Sequence, residues 1–253
     1  MSTLGACFRA ERVKWRKSWL LVTAVLAPLC QAGFLWILFW FSENRIRRFI
    51  PGSQFWLELN FVTWNVLLLP ILAALLCELS WGQEREARAW NLSLIQPVPR
   101  HIHYLVKVLS HLSLVLLAQA LLAGLLLLGG WLLRHQPGLL MGPLPWGLFL
   151  KFTGYSVLAS AAVVAFQTWL SLRAPGFWTG LAGALGGTWL AVRLVGESQA
   201  VHLLPWGLAA HATLAFERWR VLPWAQAALS LLAAGLLVAL GCWDFTRRPA
   251  PRD

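Results

Sequence analysis

The residues best placed to do chemistry in this chain lie in one polar stretch, from Glu78 to Arg100. It contains Glu84-Arg85-Glu86-Ala87-Arg88, a short run of both charge signs, followed by Trp90 and by Pro97-Val98-Pro99-Arg100. Adjacent glutamates, with histidines inside later apolar runs, would suit an intramembrane hydrolase. Here Arg85 separates the glutamates, and His101, His103, His111, His135, His202 and His211 all fall near the ends of apolar runs or between them. His101 and His103 are spaced as HxH, but two imidazoles without a carboxylate or thiolate close by fall short of a metal site. The chain has no GxxxxGK[ST] phosphate loop, no HExxH and no GxSxG, so nucleotide, zinc-peptidase and serine-hydrolase chemistry are not expected of it. Cys7, Cys30, Cys77 and Cys242 form no CxxC pair, and neither a disulfide nor a metal is expected.

The charged stretch reads better as a docking element than as a catalytic one. Residues 83–95 can form a short helix with acidic residues near its start, where the helix dipole favours them. Pro97 and Pro99 then force an extended exit. A plain connector would not need so many charges of both signs. Glu84, Arg85, Glu86 and Arg88 are the candidate salt-bridge formers, with Glu78, Trp90 and Arg100 flanking them.

The elements that must hold this stretch are membrane spans. Apolar residues make up 58% of the 253 and charged residues 12%, against about 25% charged in a soluble domain. Six apolar runs are long enough to cross the hydrocarbon core: 18–41, 61–79, 104–133, 146–171, 177–195 and 222–243. They lack period-2 alternation, which points to helices and excludes a barrel. Residues 4–17 read as an interfacial helix, and 198–221 as a broken, partly inserted segment. The layout is therefore residues 1–17 as an interfacial helix, 18–243 as a six-span domain with a loop at 80–103, and 244–253 as a tail. The run after the basic N-terminus is long enough to span, so a cleavable signal peptide is not expected.

The net charge of +11 is distributed between apolar runs rather than on a soluble face, so nucleic acid is not the expected partner. Six spans put both termini on one side. That side holds thirteen Lys and Arg residues against eight on the other, which places the termini and the 80–103 loop in the cytoplasm. Arg45, Arg47 and Arg48 run against this bias. Many of the seventeen tryptophans, among them Trp19, Trp56, Trp81, Trp131, Trp146, Trp178, Trp224 and Trp243, fall near span ends and are expected to anchor at the headgroup level.

A basic amphipathic helix comes first, then a span, then a second span ending in Glu78. An acidic-basic loop follows, with Glu84, Glu86, Trp90, Leu92, Pro97, Pro99 and Arg100, and Lys107 opens the third span. In this order the chain resembles the ABC-2 type permeases, in particular the small permeases of lantibiotic-immunity and bacitracin-resistance exporters. The resemblance covers nearly the whole chain in layout and about thirty residues in motif. It implies an all-α six-span exporter subunit of the bacterial cytoplasmic membrane. It also implies dimerisation with a second copy or a sister permease, and separate cytoplasmic ABC ATPase subunits that grip the helix between spans two and three. ATP and Mg would sit on those ATPases, and the chain itself would hold no cofactor.

Gly176, Gly180, Gly183 and Gly187 recur along the fifth run and permit close helix contact, either within one subunit or at a dimer seam. An acid or histidine at mid-membrane, the usual mark of proton coupling, is not expected, which favours ATP as the energy source. The path would be apolar and aromatic and suit amphipathic cargo such as an antimicrobial peptide, a drug or a lipid. The competing readings are an intramembrane hydrolase and a haem-export or scaffold component.

Overall fold

The computed structural model describes residues 3–16, 18–41, 53–86, 98–135, 143–194, 204–207, 209 and 224–247. Among the described residues the long helices are α1 (Thr3–Arg16), α2 (Trp19–Phe41), α3 (Ser53–Glu86), α4 (Arg100–Arg134), α5 (Trp146–Arg173), α6 (Phe177–Leu194) and α7 (Trp224–Arg247). No strand occurs among the described residues. Helices satisfy their own backbone hydrogen bonds, which is the condition for entering lipid.

Helices α2, α3, α4, α5 and α7 are long and apolar enough to cross a membrane. Helix α6 has the same length of helix as a short span, 18 residues, or about 27 Å at 1.5 Å per residue. Gly180, Gly183, Gly186, Gly187 and Arg193 dilute its hydropathy. It still alternates with its neighbours. Arg173 at the end of α5 meets Asp244 near the end of α7, and Gly176 at the start of α6 meets Glu78 of α3. So α6 leads away from the end of the bundle at which α5 and α7 both finish.

That end is the charged one. It gathers α1, the last turns of α3, α5 and α7, and the first turns of α4 and α6. At the opposite end, Ser53 Oγ donates to the Pro143 carbonyl at 2.8 Å, and Trp56 lies against Gly129 and Gly130.

The second span differs from its expected bounds of 61–79. It begins at Ser53 and runs to Glu86. Hydropathy hides its first turns because Ser53, Gln54, Glu58 and Asn60 interrupt them, yet Ser53 and Asn60 are buried by protein rather than by lipid. Asn60 Nδ2 donates to the Trp56 carbonyl, and Gln31 Nε2 of α2 donates to the Asn60 carbonyl at 2.7 Å. Midway, α3 contains a π-helical turn, Trp64–Leu68, in which the Leu69 N–H reaches the Trp64 carbonyl. Pro70 explains it. Proline has no N–H to give and its ring crowds the carbonyl four residues back, so the chain widens by one residue. The turn presents Asn65, whose Oδ1 accepts from Ser156 Oγ of α5 at 2.6 Å, while Gln119 Nε2 of α4 donates to the Ser156 carbonyl at 3.0 Å.

In lipid, apolar contact gives helices no hydrophobic advantage over the acyl chains, so close packing and interhelical hydrogen bonds hold the bundle. Trp56 does both. Trp56 is fully buried and donates Nε1 to the Leu126 carbonyl at 3.2 Å. A Cβ at Gly129 would come within 2.9 Å of its ring, so the glycine is what admits the indole. Trp81 is buried as well. Neither Trp56 nor Trp81 is the headgroup anchor expected from its place near a span end. Trp19, Trp131, Trp146, Trp178 and Trp243 are exposed, as anchors are. The side chain of Trp224 lies outside the described set.

Candidate functional site

At the charged end, four ionised side chains from three helices form one network. Glu11 of α1 accepts from Lys107 of α4 through Oε1 and from Lys14 through Oε2, the latter at 2.6 Å. Glu84, near the end of α3, accepts through Oε1 from Lys14 at 2.5 Å and from Lys107 at 2.8 Å. Lys107 also donates to Ser80 Oγ at 2.9 Å and lies over the Trp81 ring. Two carboxylates and two ammonium groups cancel in charge, and that is what permits their burial. The side chains of Lys107 and Glu11 are 6% and 7% exposed.

The network has a consequence for protonation on α1. Burial pushes the Glu11 carboxyl up, but the Lys107 and Lys14 ammonium groups outweigh it and hold the group below the usual glutamate value. Burial pushes Lys14 down, but Glu84 and Glu11 outweigh it and hold the ammonium above the usual lysine value. Trp15 adds a neutral tether, donating Nε1 to Ser110 Oγ of α4 at 2.9 Å.

A second cluster lies nearly two turns back along α3 from Glu84. Glu78 Oε2 accepts from Arg85 at 3.1 Å and from the Gly176 N–H at 3.3 Å. Gly176 has a φ of +153°, and a Cβ at Gly180 would come within 2.9 Å of Glu78 Cγ. So Glu78 pins the start of α6 to the same turns of α3 that carry Glu84. A third link joins α5 to α7, where Arg173 Nε donates to Asp244 at 2.6 Å.

The sequence-derived candidates are thus divided. Glu78, Glu84 and Arg85 are engaged within the chain. Glu86 is exposed at the last residue of α3, and Arg100 begins α4, where it donates to the Thr246 carbonyl at 3.4 Å. Arg88 and Trp90 lie outside the described residues. The helix expected over 83–95 does not start afresh at Gln83, because residues 83–86 continue α3; residues 87–95 lie outside the described set. The sequence reading missed Glu11 and underrated Lys107. The available signal was anomalous charge: the one acid in a basic helix, and a lysine in an apolar run.

The glycines of α6 are also placed. Gly180 faces Glu78, Gly183 faces Leu170 of α5, and Gly187 faces the ring of Trp206. All three close approaches are made within the subunit. Deeper in the bundle, His111 is buried with Cys77 and Thr168. Its Nδ1 is 3.0 Å from Thr168 Oγ1 and 3.4 Å from Cys77 Sγ. Protein from α3 and α5 shields this histidine, which the apolar run of α4 placed only at a span end. No group of three metal-ligating side chains converges among the described residues.

At one end of this helical bundle, the charge network ties the N-terminal helix to the last turns of the second span. The model of one family, described as ABC-2 family transporter protein, matches residues 7–188. The chain belongs to the ABC-2 transporter family. The match runs from α1 into α6 and therefore takes in both the Glu11–Lys107–Glu84 network and the Glu78 pin. No curated protein matches closely enough to add a relative of known activity. The chain is accordingly a multi-pass membrane protein and the membrane component of an ABC transporter, a class whose subunits work with an ABC ATPase.

Proposed function

We propose that this ABC-2 permease exports an amphipathic substrate, such as an antimicrobial peptide, a drug or a lipid, on force delivered by a separate cytoplasmic ABC ATPase. The observation that carries this reading is the exposed Glu86, which ends α3 directly beyond the neutralised Glu84 network. The segment after it, with Arg88 and Trp90, is the docking surface. Glu84 and Glu78 serve it from behind. Glu84 fixes α3 to α1 and α4, and Glu78 fixes it to α6, so a push on the loop moves four helices together as a near-rigid unit. ATP and Mg act on the ATPase, and this chain supplies no catalytic group to their chemistry.

In this reading the charged end faces the bacterial cytoplasm, with both termini. The permease works as a dimer of two copies or with a sister permease. The turn at 204–207 supports a re-entrant segment, because Trp206 lies against both Gly187 of α6 and Phe166 of α5. Gly187 is ten residues past Phe177, or about 15 Å along α6.

The experiment is co-expression with the cognate ABC ATPase. Reversing Glu86 and Arg88 together (Glu86→Lys, Arg88→Glu) is expected to abolish co-purification and substrate-stimulated ATP hydrolysis while leaving the permease melting temperature unchanged. Full co-purification and stimulation by this variant would remove the docking role.

Among the described residues, the groups that a hydrolase reading would use are engaged with other partners. Glu84 is held by two lysines, and His111 is paired with Cys77 and Thr168. For a haem-export component, His101 opens α4 at the charged end and His202 lies outside the described residues.

A further inference from the structure

The outward side of α1 is a different surface from its network side. Arg9, Arg12 and Arg16 are spaced i, i+3 and i+7, which puts them on one helical face, and all three are exposed. The single acid of the helix, Glu11, is 5% exposed, on the opposite face, and its charge is already answered by Lys14 and Lys107. The outward face of α1 therefore carries three exposed guanidinium groups, of which that of Arg12 also lies 6.0 Å from the centre of the Trp15 ring.

Apolar surface lies among these charges. Val13 is 59% exposed beside them, and Trp19, which opens the first span three residues after α1 ends, is 70% exposed. Exposed arginine, valine and tryptophan close together in the chain suit the boundary between headgroups and acyl chains. An acidic protein surface in water would match the arginines alone.

We propose that this face binds anionic phospholipid headgroups, and that headgroup charge thereby holds α1 against the coupling end. The second clause rests on the exporter reading, and the first does not. The binding chemistry is guanidinium against phosphate, reinforced by the negative surface of an anionic leaflet. Because Glu11 and Lys14 lie on the same rigid helix as the arginines, a headgroup that seats α1 also seats the partners of Glu84.

The lipid measurement uses the full chain without any ATPase, so that its outcome is independent of the coupling model, and a second arm co-expresses the ATPase. The permease is reconstituted in mixed phosphatidylcholine and phosphatidylglycerol, extracted mildly, and its retained lipid is counted by native mass spectrometry. Wild type is expected to retain phosphatidylglycerol in preference, with the preference falling as salt rises. The triple variant Arg9→Gln, Arg12→Gln, Arg16→Gln is expected to lose that preference by more than about tenfold. Arg193→Gln, exposed at the far end of α6, is expected to leave it unchanged. An unchanged preference in the triple variant, or a wild-type preference insensitive to salt, would overturn the proposal. So would a triple variant that keeps its phosphatidylglycerol but loses a co-expressed ATPase, since the face would then be a protein dock.

Discussion

The carboxylate of Glu84 lies 2.5 Å from the ammonium of Lys14, joining helices 70 residues apart in sequence. A surface pair of this kind would contribute little. This one sits over a buried lysine that serves both of its acids, so α1, α3 and α4 share a single charge balance.

Removing the shared lysine should therefore be costly. Lys107→Met leaves Glu11 and Glu84 close together with only Lys14 between them, and about 3–5 kcal/mol of stability is expected to be lost. Lys14→Met, whose side chain is 44% exposed, is expected to cost about 1 kcal/mol or less. Thermal melts of the two variants in one detergent check the ranking, and equal losses would show that Lys107 is not the centre.

The seating of α1 should depend on pH in one direction at each extreme. Glu11 has a lowered value in the fold, so its contribution is present above the ordinary glutamate range and is lost as pH falls through its folded value. Lys14 has a raised value, so its contribution is present below the ordinary lysine range and is lost as pH rises through its folded value. The protection of α1 amides, taken as the intrinsic exchange rate at each pH divided by the observed rate, is expected to be flat from about pH 5 to 10 and to fall outside that window. A midpoint near neutrality would contradict the assignment.

Glycine replacements along α6 should separate interior from exterior. Gly187→Ala puts a Cβ within 2.4 Å of the Trp206 ring, and a rigid indole cannot yield cheaply, so a loss of about 1–3 kcal/mol is expected. At Gly186 nothing lies within 4 Å of the new Cβ, and Gly186→Ala is expected to be neutral or slightly stabilising in the isolated subunit. Melting temperatures of the two alanine variants check this directly.

The polar layer at the π turn supplies another contrast. Asn65→Ala leaves the Ser156 hydroxyl without its acceptor in the bundle interior and is expected to cost about 1–2 kcal/mol. The double variant Asn65→Ala, Ser156→Ala removes both groups and is expected to recover part of that loss. Chemical denaturation of the three variants gives the coupling between the two sites, and strict additivity would contradict the bond.

The helices were legible in the sequence where lipid or apolar packing surrounds them on most sides, as in α4 and α5. The start of α3 was not, because Ser53 and Asn60 are buried against protein and donate to the Pro143 and Trp56 carbonyls, whereas hydropathy counts them as loss. Trp56 and Trp81 misled for the converse reason: a ring near a span end can be an anchor or a core residue, and only the neighbouring helix decides. Glu11 with Lys107 could not be paired from sequence at all, since 95 residues lie between them. Their charges were visible as anomalies, each unlikely to be tolerated without the other. Glu78, by contrast, was singled out from sequence, but its partners at Gly176 and Gly180 emerge only when α6 packs on α3.

The most direct test of the account is the side of the membrane on which Glu86 lies. In a variant with Cys7, Cys30, Cys77 and Cys242 replaced by alanine, Glu86→Cys is treated with a membrane-impermeant maleimide in intact cells and in inverted vesicles. Labelling in inverted vesicles alone is the result the account requires. Labelling in intact cells would put the charged end outside, where no ATPase could reach it, and would contradict the proposed mechanism.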